Sequence, residues 1–216
     1  FRLEAEAPVG LAVTRDARRS LARFADTRLL PSVPELAPVI ERMEAVMGFV
    51  PNSILTMARV PGLGAGFAGL AGPILRNDLV EPSMVQMVAL AASTAAGSRY
   101  CQAHTSHTGH RVGVDEAKLA DVYDFENSDR FSDAERAALR LAFAAASVPN
   151  TSTPEHFADL RRHFDDEQIA AIVAVIALFG FLNRWNDTMG TELEGPARQF
   201  GERVLAGHGW DVGKHT

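Results

Sequence analysis

The chain has 216 residues, of which 47% are hydrophobic and 22% charged, with a formal net charge of -6. That much apolar material supplies a core for one generous domain and excludes disorder for most of the chain. The acidic balance and the absence of any Lys/Arg run exclude a phosphate backbone as partner, so no nucleic acid is expected.

The single cysteine excludes an internal disulfide framework and any Cys-x-x-Cys couple within one chain. The longest apolar stretch, residues 169–182, has 14 residues. It is too short for about 30 Å of hydrocarbon, so it reads as a buried core helix and no membrane partner is expected. The chain begins without a basic segment leading into an apolar one, and a cytoplasmic location is the corresponding expectation.

Apolar residues recur at three- and four-residue spacing in alanine-rich segments, and no clean strand alternation appears, so the fold class is all-α. Residues 1–30 are expected to form an arm with a short exposed helix over 17–27, separated from the body by Pro31 and Pro34. The body spans 31–205. A helix over 36–47 ends at Gly48, and a shorter one follows Pro51 and Asn52. The glycine-rich segment 61–72 is open between a closely packed helix and irregular chain. Pro82 opens a helix, buried along most of its surface, that ends near Gly97. Ser98 is placed to cap the next helix, 99–111, with its hydroxyl accepting from an amide of the first turn, and Gly113 stops that helix.

A capping box at Ser132 and Glu135 starts a helix that ends before Pro149. Thr153-Pro154 opens another, and Asp165-Asp166-Glu167 opens the most apolar one, which runs into Asn183-Arg184-Trp185-Asn186-Asp187. Pro196 restarts the chain. The tail, 206–216, with Trp210, is a candidate to dock on the body. A faint internal echo at an offset of 83 residues matches Gly97 and the helix after it with Gly180 and the segment after that, suggesting two stacked helix pairs.

The richest segment for chemistry is Ser98-Arg99-Tyr100-Cys101-Gln102-Ala103-His104. A thiol at position N3 feels the positive end of the helix macrodipole, which favours thiolate. His104 lies one turn along the same face, in position to take the thiol proton. The bland reading of Cys101 is a small buried hydrophobe. His104, His107 and His110 invite a metal, but a step of about 600° on a straight helix splays the outer two, so one ion collects at most two. Neither metal nor cofactor is expected.

The segment from Tyr100 to Thr105, followed by Gly109 and Gly113, resembles the signature helix of AhpD-like proteins in the carboxymuconolactone decarboxylase superfamily. Gly48 to Asn52, Arg59-Val60-Pro61, Phe131 to Glu135 and Phe181 to Arg184 are similar to segments of its peroxidase-related branch. The resemblance implies an AhpD-like helical bundle, a homo-oligomer, and a site of Cys101, His104, Gln86, Ser98 and Tyr100. Two positions depart from the pattern. Ser98 stands where the family carries its first cysteine, and Gln86 where it carries a proton-relay Glu. Cys101 therefore has no resolving partner, and Gln86 can orient a group but cannot shuttle a proton. Glu81 substitutes for it only if the helix start folds back.

Three readings follow. In the first, Cys101, assisted by His104, reduces a hydroperoxide, and an external thiol reduces the sulfenic acid. In the second, a decarboxylase or lactone-type enzyme uses His104 or His107 for proton transfer and Arg184 or Arg99 for a carboxylate, with Phe49, Met57, Met87 and Phe179 lining an apolar pocket. In the third, a silent oligomer binds a small ligand. His107, Asn183 and Arg184 are the expected substrate contacts. Arg184 paired with Asp187 in a helix-end network is the structural alternative.

Overall fold

The computed structural model describes residues 36–216. The expected arm and the helix over 17–27 lie outside these residues. Ten α-helices follow in order: α1 Ala37–Met47, α2 Asn52–Met57, α3 Leu63–Leu75, α4 Pro82–Ala95, α5 Arg99–Arg111, α6 Glu116–Ala120, α7 Asp133–Ala146, α8 Pro154–Leu160, α9 Asp166–Met189 and α10 Gly195–Val204. Short 3-10 turns occupy Asp121–Asp124 and Ala206–His208. The described chain contains no strand, and the architecture is an all-α, AhpD-like bundle.

Helix α4 is the axis of the bundle and packs on α5, α7 and α9. From Met84 to Ser93 all of its residues except Gln86 are buried, so only an all-apolar or small side-chain sequence fits there. Gly97, with φ of +71°, reverses the chain into α5, which lies between α4, α9 and α10. Gly109 allows the close approach of α5, because a Cβ at this position would stand 2.9 Å from Leu119 Cδ2 and 3.5 Å from the Cβ of Gln86.

The predicted starts at α7 and α9 are present as capping boxes, Ser132 with Glu135 and Asp165 with Gln168. Thr153 forms the same reciprocal pair with His156 at the start of α8. The segment left open at 61–72 is helical from Leu63 onward, and Gly64 lets it sit against Leu36, whose Cδ2 would lie 3.0 Å from an added Cβ. Helix α6 has no counterpart in the sequence expectations. Its first turn is held by the Asp115 carboxylate, which accepts from Ala117 N at 2.9 Å.

Two expectations are corrected. The internal echo requires a break at Gly180, yet α9 runs unbroken through it for 24 residues, whereas α4 and α5 do separate at Gly97. A Cβ at Gly180 would meet no neighbouring atom within 4 Å and the residue has no positive φ, so nothing there turns the chain. Helix α9 is also less buried than expected of a core helix. Its most apolar 18 residues have mean hydropathy 1.6 and are 39% buried, which by length and composition alone would suffice to cross a membrane. In the bundle one side packs on α2, α3, α4, α5 and α7, while Val173 and Phe181 remain partly exposed.

The tail docks. Trp210 is buried, its Nε1 donates to the Arg99 carbonyl at 3.0 Å, and its ring lies over Gly201 at van der Waals limit. Leu193 N donates to the His215 carbonyl at 2.9 Å, which fixes the last residues against the α9–α10 connection.

Candidate active site

Cys101 occupies position N3 of α5, as its spacing from Ser98 predicts. Ser98, however, does not cap the helix with its side chain. Its hydroxyl instead donates to Asp187 Oδ1 of α9 at 3.3 Å, because a carboxylate is a stronger acceptor competing for the one hydroxyl hydrogen. Asn186 Nδ2 donates to Cys101 Sγ at 3.5 Å.

Cys101 is only 2% exposed. Burial pushes its thiol up to about 12, hydrogen bonds from Ser98 and Asn186 pull the other way, and the Asp187 and Glu194 carboxylates add to the rise. This reverses the expectation of a thiol activated by the helix end alone. A helix N-terminus contributes about 1 kcal/mol, whereas full desolvation moves a titrating group by about 3–5 units.

His104 does not turn to Cys101. Its Nε2 pairs with Oε2 of Glu194, the residue just before α10. Glu194 Oε1 accepts from Tyr100 Oη at 2.8 Å and from the backbone N–H of Asn52 at the start of α2. The Tyr100 ring stacks on the His104 ring with centroids 4.3 Å apart, and Phe49 meets His104 edge-on at 5.2 Å. Burial alone would raise the Glu194 carboxyl, but the facing His104 and the Asn52 N–H outweigh it and hold the group below the usual carboxylate range. Burial, then the Glu194 charge, drives the Tyr100 phenol well above its ordinary value. Tyr100, Glu194 and His104 thus form a buried, hydrogen-bonded array able to hold or pass a proton beside the thiol.

Gln86 sits half-buried on α4 with its Cβ toward Gly109, and the carboxylate at His104 comes from Glu194. Glu81 does not fold back. It is exposed before α4 and lines, with Asn77, Ser132, Glu135, Phe164 and Gln168, a cleft of about 530 Å³ that shares no residue with the Cys101 centre.

Of the expected substrate contacts, Asn183 is buried and donates from Nδ2 to the Ala92 carbonyl at 3.4 Å. Arg184 is exposed. The expected pairing of Arg184 with Asp187 is not formed, since Asp187 Oδ1 is taken by Ser98 and by His215 Nε2, at 3.1 Å. His107 lies between Phe49 and Phe200, with centroids at 5.6 and 5.8 Å, and burial lowers its pKa. Met57, Met87 and Phe179 are core residues. The histidine run diverges: His104 faces Glu194, His107 the two phenylalanines, and His110 Phe200 and Glu116. Among the described residues no three His, Cys, Asp or Glu side chains gather as a metal site.

The profile of the carboxymuconolactone decarboxylase family matches residues 61–144, from the start of α3 through most of α7. The Escherichia coli (strain K12) protein YnjA is 30% identical over 124 residues, covering 57% of this chain and 68% of YnjA. The chain belongs to the carboxymuconolactone decarboxylase family. Among solved structures of similar proteins, the debrominase Bmp8 is 38% identical with a TM-score of 0.75, covering 79% of this chain and 92% of Bmp8. A cysteine-to-alanine variant of Bmp8 has been solved in complex with 2,3,4-tribromopyrrole. The AhpD core of a peroxidase-related protein from Ralstonia eutropha JMP134 shares the fold, with a TM-score of 0.70, 23% identity, and coverage of 80% of this chain and 90% of that one.

Around Cys101 and His104 stand residues that were not among the expected site residues: Glu194, Asn186, Asp187, Asn52 and His215. Asn186 and Asp187 were visible as a polar run after an apolar helix. Glu194 and His215 had no local signal, because each sits in a short polar segment of no recognisable pattern and is brought to α5 from 90 or more positions away.

Proposed function

We propose that this chain is a single-cysteine oxidoreductase in which Cys101 removes an electrophilic halogen from a small electron-rich aromatic ring and an external thiol supplies the electrons. The observation that carries this reading is the 38% identity to the debrominase Bmp8 over nearly all of that protein, together with one buried cysteine beside a proton-holding array.

The chemistry balances with one sulfur. The ring carbon bearing the halogen takes a proton, the Cys101 thiolate attacks the halogen, and the carbon–halogen electron pair returns to the ring as the S–halogen bond forms. An external thiol then displaces halide to give a mixed disulfide, and a second thiol releases Cys101. One carbon–halogen bond becomes carbon–hydrogen, one halide and one proton leave, and two thiols become a disulfide. Tyr100, Glu194 and His104 hold the proton beside the sulfur. Among the described residues, the Oδ1 atoms of Asn183 and Asn186 are buried without hydrogen-bond partners, and such acceptors suit the N–H of a nitrogen heterocycle. With Cys101 closed off from solvent, turnover includes an opening step.

Hydroperoxide reduction would use the same thiol with oxygen as the transferred atom, leaving a sulfenic acid for the external thiol. The two activities separate in one assay. The protein with dithiothreitol is given 2,3,4-tribromopyrrole, and bromide release is followed; cumene hydroperoxide is offered in parallel. Bromide release lost in Cys101→Ser supports the proposal, and peroxide turnover without bromide release replaces it by the peroxidase reading. A Cys101→Ser protein as active as the parent, or no turnover of either compound, overturns both.

A further inference from the structure

The C-terminal tail brings a second imidazole to the thiol. His215 is 1% exposed. Its Nδ1 lies 2.8 Å from the Thr191 carbonyl oxygen, which can only accept, and its Nε2 lies 3.1 Å from the Asp187 carboxylate. Both ring nitrogens therefore face acceptors, and satisfying both requires a hydrogen on each. Asp187 is in turn the acceptor for Ser98, the residue one turn before Cys101.

The groups around the thiol then form two matched pairs. Glu194, ahead of α10, is faced by His104 and Tyr100 of α5. Asp187, on α9, is faced by His215 of the tail, whose ring centroid lies 5.7 Å from that of Tyr100. Each carboxylate that opposes a thiolate has an imidazole of its own.

We propose that the tail completes the Cys101 centre, with His215 as a positioning residue: as an imidazolium on Asp187 it cancels that carboxylate's field at the sulfur and keeps Ser98 oriented between the two. Ser98 donates to Asp187 while the thiol is protonated and turns to donate to the thiolate when it forms. This rests on the reading of Cys101 as the reacting group, but it concerns thiolate formation and not the substrate. The Asp187 carboxylate stands close to the sulfur, since Ser98 donates to its Oδ1 and its chain neighbour Asn186 donates to Cys101 Sγ.

The test is the rate of Cys101 alkylation by iodoacetamide at about pH 8 on the full chain, where each unit of thiol pKa changes the rate about tenfold. His215→Gln is expected to slow alkylation about tenfold, and His215→Lys, which restores a cation, to recover it. Adding Asp187→Asn to His215→Gln removes the uncancelled carboxylate charge and is expected to return the rate to the parental one. A tail that merely covers the site predicts the opposite sign, since loosening it exposes the sulfur. Alkylation that is faster or unchanged in His215→Gln overturns the proposal. Where that variant does not fold, His215→Lys decides, and a rate tenfold or more below that of the parent overturns it. Failure of bromide release with the alkylation order intact would count against the dehalogenation reading alone.

Discussion

Glu194 pairs through its Oε2 with the Nε2 of His104, 90 residues earlier, while its other oxygen accepts from Tyr100. The carboxylate that α4 lacks at position 86 is thus matched by one at His104, supplied from 90 residues further along the chain. Glu194→Gln keeps the shape but removes the charge, and is expected to lower turnover about 100-fold. Because the folded carboxyl titrates below its unfolded value, the pair stabilises the protein above the ordinary carboxylate range, and that stability is lost as pH falls through the folded pKa. Melting temperature below about pH 4 should therefore fall more steeply for the parent than for Glu194→Gln. Equal slopes would mean that the pair adds nothing to folding.

Gly201 lies beneath Trp210, with ring atoms 2.8 to 3.0 Å from where a Cβ would stand. Gly201→Ala should lift the ring, destabilise the fold by about 1–3 kcal/mol, and shift tryptophan emission to the red as Trp210 meets water. An unshifted spectrum with parental melting would show that the tail accommodates the methyl group.

Asn186 and Arg184 are two residues apart on α9 and should behave oppositely. Asn186→Ala removes the donor to Cys101 Sγ and is expected to depress Cys101-dependent turnover at least tenfold, an effect on the order of 1.4 kcal/mol. Arg184→Ala alters an exposed side chain and should leave both turnover and stability within about 0.5 kcal/mol. Comparable losses in kcat/KM for the two would favour a carboxylated substrate held by Arg184.

Gly109→Ala places a methyl group against Leu119, which has no exposure with which to retreat. A loss of about 1–3 kcal/mol in denaturant unfolding is expected. Leu119→Ala should recover part of it in the double variant, while costing about 2–5 kcal/mol alone. Purely additive losses would show that the two side chains do not compete for this space.

Much of the fold was legible because its signals are local. Ser132 and Glu135 lie within four residues of one another and their capping box formed as read, and the helix opened by Asp165 starts where expected, with Gln168 completing a capping box that was not read. Pro82 and Gly97 mark the ends of α4 for similar reasons of backbone geometry. Helix α6 escaped notice because five residues carry too little periodicity to register.

The sequence by itself determined an all-α bundle, its family, and the placement of Cys101 and His104 one turn apart in the first turns of α5. Only the tertiary structure decided what those two side chains face. Position along a helix fixes a side chain's direction, but its pKa and its partner depend on the solvent it loses and the charges it meets. Burial set the thiol high despite the helix end, Asp187 drew the Ser98 hydroxyl away from capping, and Glu194 and His215 arrived from distant chain to pair with groups that the sequence had left alone.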